Sequence, residues 1–266
     1  MSTKIKKSNK LLDPNEKIYL NILRLLFRIS EKIIETMIAN PRRGDVPFQI
    51  ILAFLIKGTH TLQGILILYK QNLPHEAQAL IRVIFELNVT FEAFVHLLRK
   101  DPEGACRRLL DSVMLEKIKQ VRASNFLGLE FVPDAPTREI LLANEEEIVG
   151  RYDSKELNKI KKYGFSGLSV EQRARQAKYT HFYDVVYRNF SRNIHSTDFI
   201  EHFQIISKTK ASMFKTTYPT LERNLVAYDV TFMSSLGIVA MVDDIFHYGF
   251  DVKLRRLKAR RDKLRT

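Results

Sequence analysis

Cysteine is almost missing from this chain. Cys106 is the single one in 266 residues, which excludes an internal disulfide framework and any zinc site built from several thiolates. Tryptophan is absent, and ten Gly and eight Pro are few for this length. No apolar run is long enough to read as a membrane span. Val46 to Ile56 is followed by Lys57, His60 and Gln63, and Val230 to Val242 is bounded by Asp229 and by Asp243-Asp244; runs of this length read as buried core helices. The basic start, Met1-Ser2-Thr3-Lys4-Ile5-Lys6-Lys7, has no apolar segment after it, so a secretory signal is not expected. A P-loop, a dinucleotide-type Gly-rich turn and a Gly-x-Ser-x-Gly elbow are all missing, and with them the commonest sequence signs of nucleotide hydrolysis, dinucleotide binding and acyl transfer.

Metal chemistry is thinly provided for. Asp244 and His247 stand at i, i+3, but no Glu-x-x-His or His-Glu-x-x-His partner completes a set. The pair reads as an acidic helix end facing solvent. Neither a metal nor another cofactor is expected. The reducing setting that fits a lone thiol, together with the missing signal and spans, points to the cytoplasm.

The formal charge is +13, and its location matters more than its size. Residues 1–10 contribute +4 and residues 253–266 contribute +7, leaving residues 11–252 at only +2. Basic ends can grip a phosphate backbone without sequence preference, or can simply be solvated. The tail at 253–266 has none of the interleaved aromatics that stack bases, so any grip on RNA would be through phosphates.

With 45% hydrophobic residues the chain can bury one substantial core. Its apolar residues recur with helical period: Ile18, Ile22, Leu25, Leu26, Ile29, Ile33 and Met37 mark a first helix after Asp13-Pro14. Further helices are predicted near 47–71, 75–100 (after Pro74), 103–123 and from Val170 onward through residue 195. A last one starts near Thr220 and continues toward the charged end. Between 125 and 167 Gly and Pro cluster around two short helical stretches, read as an insertion or lid. The expected architecture is an all-α single domain over 1–266, a bundle of about six or seven main helices with basic tails at 1–12 and 253–266 and almost no strand pattern.

The unusual stretch is Tyr187-Arg188-Asn189-Phe190-Ser191-Arg192-Asn193-Ile194-His195-Ser196. Seven residues are about two helical turns, so Arg188 and His195 fall on one face with Asp184 and Ser191, at the spacing that apolar residues normally occupy. Histidine transfers protons near neutral pH, and arginine donates two parallel hydrogen bonds to phosphate oxygens. Such a face suits cleavage of a phosphodiester without a metal. Arg175 and His181 offer a similar spacing, but Gln176 follows the arginine. On the third helix Arg82 and Glu86 form an i, i+4 pair within an apolar stretch, either a structural clamp or a further phosphate contact.

The Arg188-Asn189-x5-His195 pattern resembles the catalytic motif of the HEPN superfamily, helical ribonucleases of prokaryotic defence and toxin systems. More loosely, Arg82-x-x-x-Glu86 with Ser191-x-x-x-His195 resembles a bacterial HEPN-like group over roughly residues 50–245. The resemblance implies Arg188 and His195 as the catalytic pair and Asn189 as the supporting polar residue. Arg82, Glu86, Ser191 and Arg192 would then line the substrate site. It further implies RNA as substrate, a homodimer that completes the site, and an antitoxin or other operon partner. The expectation is an endoribonuclease leaving 2′,3′-cyclic phosphate and 5′-OH ends. The alternative is a helical module that binds RNA, a nucleotide or a partner without turnover.

Overall fold

The computed structural model describes residues 13–126, 135–186, 190, 203–206, 211–214 and 221–264. Four long helices come first: α1 (Pro14–Ala39), α2 (Val46–Lys70), α3 (Pro74–Leu98) and α4 (Pro102–Phe126). Four shorter ones follow: α5 (Ala135–Arg151), α6 (Ser154–Tyr163), α7 (Val170–Gln176) and α8 (Thr180–Val185). Strands β1 (Phe203–Ile206) and β2 (Ala211–Phe214) pair antiparallel, Phe203 opposite Phe214 and Ile206 opposite Ala211. Helices α9 (Leu221–Phe246) and α10 (Asp251–Asp262) complete the described chain. The protein is all-α, and among the described residues this hairpin is the one exception, which the sequence pattern did not indicate.

Helix starts follow their chemistry. Asp13 caps α1: its carboxylate accepts from the Asn15 N–H at 2.8 Å, while Glu16 reaches back to the Asp13 N–H at 3.3 Å. This reciprocal box, with Pro14 at the first position, satisfies donors that have no partner inside the helix. Asp101 holds the Gly104 N–H at 3.0 Å in front of α4. Asp153 and Ser169 cap α6 and α7 in the same way.

Two predicted helices are broken. After α7 the chain turns at Lys178, whose φ is +60°, and the Tyr179 N–H donates to the Ala174 carbonyl at 2.7 Å; helix does not run unbroken from 170. After α9 a second break comes at His247 (φ +57°) and Gly249 (φ +79°). There the carboxylate of Asp243, 5% exposed, accepts from the Phe250 N–H at 3.1–3.2 Å. Asp243 therefore caps a turn and does not face solvent as expected; Asp244 does. The run 253–266 is likewise no simple solvated tail: Leu254, Leu257 and Arg261 of α10 are buried.

Contacts divide the chain into two compact units. The first comprises Met1–Asn40, Leu55–Phe85 and Val185–Thr266. In it α1 packs on α9 and α10. Leu23, Leu26, Ile33 and Met37 of α1 are fully buried, and truncating one such side chain costs about 2–5 kcal/mol. Tyr228 of α9 stacks on Tyr19 (ring centroids 5.8 Å apart) and meets Tyr69 of α2 at a tilt (4.5 Å).

The second unit comprises Pro41–Phe54 and Glu86–Asp184. Phe54 stacks on Phe91 at 4.9 Å and on Phe94 at 5.8 Å, and Phe94 meets Phe165 edge-on at 6.1 Å. A smaller cluster of Leu115, Ile148, Leu157 and Ile160 fastens α5 and α6 to α4. The stretch expected as an insertion thus shares a core with α4.

By length and composition α2 and α9 could each cross a membrane. Two thirds of the apolar window of α9 is buried inside the protein, as in a core helix. The exposed residues of α2 are mixed, with Gln49, Lys57, His60, Gln63 and Lys70 beside Val46, Ala53 and Ile67.

Candidate functional site

Arg188, Asn189, Ser191, Arg192 and His195 lie outside the described residues. On the near side of that stretch, α8 leads into Val186, and Val186 and Phe190 are both buried. Arg82 and Glu86 are described. They sit one turn apart on α3, each half-buried and each with an interaction partner, beside the buried Ile81, Ile84 and Phe85. The competing pair separates cleanly: Arg175 is exposed and bonded to Glu171 at 2.5 Å, and His181 is exposed against the Phe182 ring. Cys106 is buried, and burial, with a smaller effect from Asp45, raises its thiol pKa. That disfavours the thiolate and any nucleophilic role.

The most developed polar network among the described residues belongs to the second unit, and its centre is Asp111 of α4. This carboxylate is 6% exposed. It accepts from Arg151 Nη1 at 2.7 Å and from the Tyr152 hydroxyl at 2.8 Å. Burial, then the bond to Asp111 and its negative charge, push the Tyr152 phenol up to about 12. Arg151 also bonds Glu147 one turn back on α5. One α-helical turn before Asp111, Arg108 donates to Glu156 of α6 and to the Phe165 carbonyl. Arg173 of α7 donates to the carbonyls of Tyr163 and Leu168 at 3.2 and 3.0 Å, closing the loop between α6 and α7.

A cleft of about 390 Å³ opens over this network, lined among others by Lys100, Asp101, Arg107, Arg108, Arg151 and Tyr152. Four cations in its lining, Lys100, Arg107, Arg108 and Arg151, would suit an anion. Three of them, however, are held by Glu103, Glu156, Glu147 and Asp111. The arrangement locks α5 and α6 onto α4 more than it cradles a phosphate. Sequence reasoning passed over it because its key partners stand 40 to 48 residues apart. The local signals were the Arg108/Asp111 and Glu147/Arg151 spacings.

Two further polar sites are buried. On α3, Asn88 is fully enclosed and neither amide atom has a hydrogen bond of normal geometry; the Tyr179 hydroxyl is the polar group that approaches it. Burial raises the pKa of Glu92, one turn on, and that of Tyr179, to which the charge of Glu92 adds. In the first unit, Arg261 of α10 forms a two-pronged ion pair with Asp229 of α9, the side chains being 6% and 7% exposed. Burial alone would lower the guanidinium pKa; bonds to Asp229 and Asp262 override it and raise it. Among the described residues no group of three or more His, Cys, Asp or Glu could hold a metal ion.

Fold and polar sites together define an all-α protein of two compact units, rich in internal arginine–carboxylate locks. The chain belongs to a family of unknown function (DUF5677), whose model matches residues 48–209. The matched stretch takes in both Arg82…Glu86 and Arg188…His195; α1, α9 and α10 fall outside it. No curated protein and no solved structure matches the chain.

Proposed function

We propose that this protein is a metal-independent endoribonuclease of the HEPN type, acting in the cytoplasm within a bacterial defence or toxin system. In this reading His195 takes the proton from the RNA 2′-OH. The 2′ oxygen attacks the adjacent phosphorus, the bond to the 5′ oxygen breaks, and that oxygen leaves as a hydroxyl with the proton that His195 returns to it. Arg188 stabilises the extra charge on the phosphorane, and Asn189 orients the phosphate. Ser191, Arg192, Arg82 and Glu86 line the substrate site. A second copy completes the site across a dimer, and an operon partner restrains it. The internal 2′-OH is the nucleophile, so no metal-bound water is required.

The observation that carries the reading is the Arg-Asn-x5-His spacing in the sequence: a guanidinium, a polar neighbour and an imidazole at the i, i+7 interval that an apolar seam would normally occupy. The test is direct. Purified protein is incubated with mixed RNA in EDTA and new 5′-OH ends are counted. Wild type should cut, while His195→Ala should lose cutting with its thermal midpoint unchanged. Cutting retained by His195→Ala removes the mechanism.

One feature favours a second reading, an RNA-binding module without turnover. Among the described residues, exposed cations concentrate on α10, far along the chain from the motif. RNA bound but left intact by wild type would favour it.

A further inference from the structure

Helix α10 is amphipathic in an unusual sense, with one face for the core and another entirely for cations. Leu254, Leu257 and Arg261, at i, i+3 and i+7, are buried. At 100° per residue, Lys253, Arg256, Arg260 and Lys263 fall at i, i+3, i+7 and i+10, a separate stripe about 15 Å long. All four are exposed.

The acids of the helix are accounted for elsewhere. Asp251 is bonded to Arg255, and Asp262 to Arg261 at 2.7 Å. Neither arginine belongs to the stripe, and both acids lie on its far flank. Asp251 and Asp262 thus sit off the stripe, a line of positive charge in which Lys253 lies over the Phe250 ring at 5.2 Å and Lys263 has an interaction of its own.

The helix is also held in place. Arg261 is clamped to Asp229, and the turn before the helix is closed by Asp243 and the Phe250 N–H. A clamped line of cations loses little freedom when it meets a linear polyanion.

We infer that the Lys253–Arg256–Arg260–Lys263 stripe of α10 is a docking surface for the phosphate backbone of single-stranded RNA. The inference builds on the reading of RNA as substrate but assigns a surface outside both motif segments. The cations follow one another about one helical turn apart and accept any sequence, since phosphates carry no base identity. A membrane surface fits less well. Interfacial helices insert an apolar face, whereas α10 spends its leucines on the protein interior and shows solvent little apolar surface beyond Val252.

The test uses the full chain carrying His195→Ala, so that RNA survives, and a fluorescein-labelled oligouridine read by anisotropy. Four phosphate contacts on a single strand give a log–log salt slope of about −2.8, or roughly 50-fold weaker binding between 50 and 200 mM KCl. Arg256→Gln with Arg260→Gln should reduce the steepness by about 1.4 and, with the two lines meeting at about 1 M salt, weaken binding roughly 65-fold at 50 mM. These residues are exposed, so the urea midpoint should not move. Lys155→Gln with Lys161→Gln, on the exposed side of α6, should leave binding as it was.

Equal affinity and slope for the Arg256/Arg260 variant and its parent would overturn the surface. So would these substitutions releasing the protein from phosphatidylserine vesicles but not from oligouridine. The two readings fail separately. Wild type that binds through the stripe but leaves RNA uncut sinks the nuclease and keeps the docking surface; wild type that cuts regardless of the stripe does the reverse.

Discussion

Replacing Asp229 by Ala should be among the most damaging single changes in the first unit. Both side chains of the pair are more than nine-tenths enclosed, and Arg261 gives Asp229 two parallel N–H···O bonds. Removing one partner of a buried pair strands the other charge, at a cost of about 3–5 kcal/mol. The lower end, about 3 kcal/mol, is expected here because Arg261 keeps its bond to Asp262, whose side chain is half exposed. With a urea m-value of about 1–3 kcal/mol/M, the midpoint followed by far-UV circular dichroism should fall by about 1–3 M. The change should persist in 1 M salt, which screens buried pairs poorly. Asp229→Leu combined with Arg261→Met should recover most of the loss, because a matched apolar pair avoids desolvating two charges. A cost below about 1 kcal/mol for Asp229→Ala would mean that the pair behaves as a surface bridge. A double variant as weak as the single would mean that packing, not charge, holds α10. Either result refutes the reasoning.

Two smaller predictions concern groups whose pKa is raised on folding. For Glu92 the stabilising contribution is present below the unfolded value of 4.5 and is lost as pH rises through the folded value. Glu92→Gln should therefore raise stability at pH 7 by a few tenths of a kcal/mol, after allowance for its partial exposure, and leave it unchanged below pH 4. A lower urea midpoint at pH 7 would contradict this. The Tyr152 phenol, pushed up to about 12 against an ordinary 10.0, should give a late step in an alkaline titration followed by ultraviolet absorbance. Tyr152→Phe should take one phenol out of that step, with Tyr69, Tyr179 and Tyr228, also raised by burial, keeping the rest. The sign for stability is negative above pH 10, where the unfolded phenol has ionised and the folded one has not. An alkaline limb of stability that Tyr152→Phe leaves equally steep would discount the bond to Asp111 as its source.

Much of the helical plan was legible because its punctuation is chemical. Asp13-Pro14, Pro74 and Asp101-Pro102 mark helix starts that the structure places within a residue or two of expectation. The breaks were harder to read. Lys178 carries a positive φ with no Gly or Asn to advertise it, so the apolar period runs across the turn undisturbed. Gly249 did advertise the second break, but the basic run beyond it drew the eye to charge. Within that run Leu254 and Leu257 alternate with cations at helical spacing, a sign that one face is buried. The hairpin strands are four residues each, too short for an alternating pattern to stand out.

Buried pairs escape sequence reading for a physical reason. An isolated acid in an apolar helix, such as Asp229 beside Val230, announces only that a countercharge is needed. Its partner stands 32 residues away, among seven other bases of residues 253–266 that carry the same charge. Only position in the folded chain picks out Arg261, because it is the base that shares a helix face with Leu254 and Leu257. That choice in turn sets the phase of the whole helix. Once Arg261 faces inward, Arg256 and Arg260 must face outward, and one buried ion pair decides which cations are left to meet a phosphate chain.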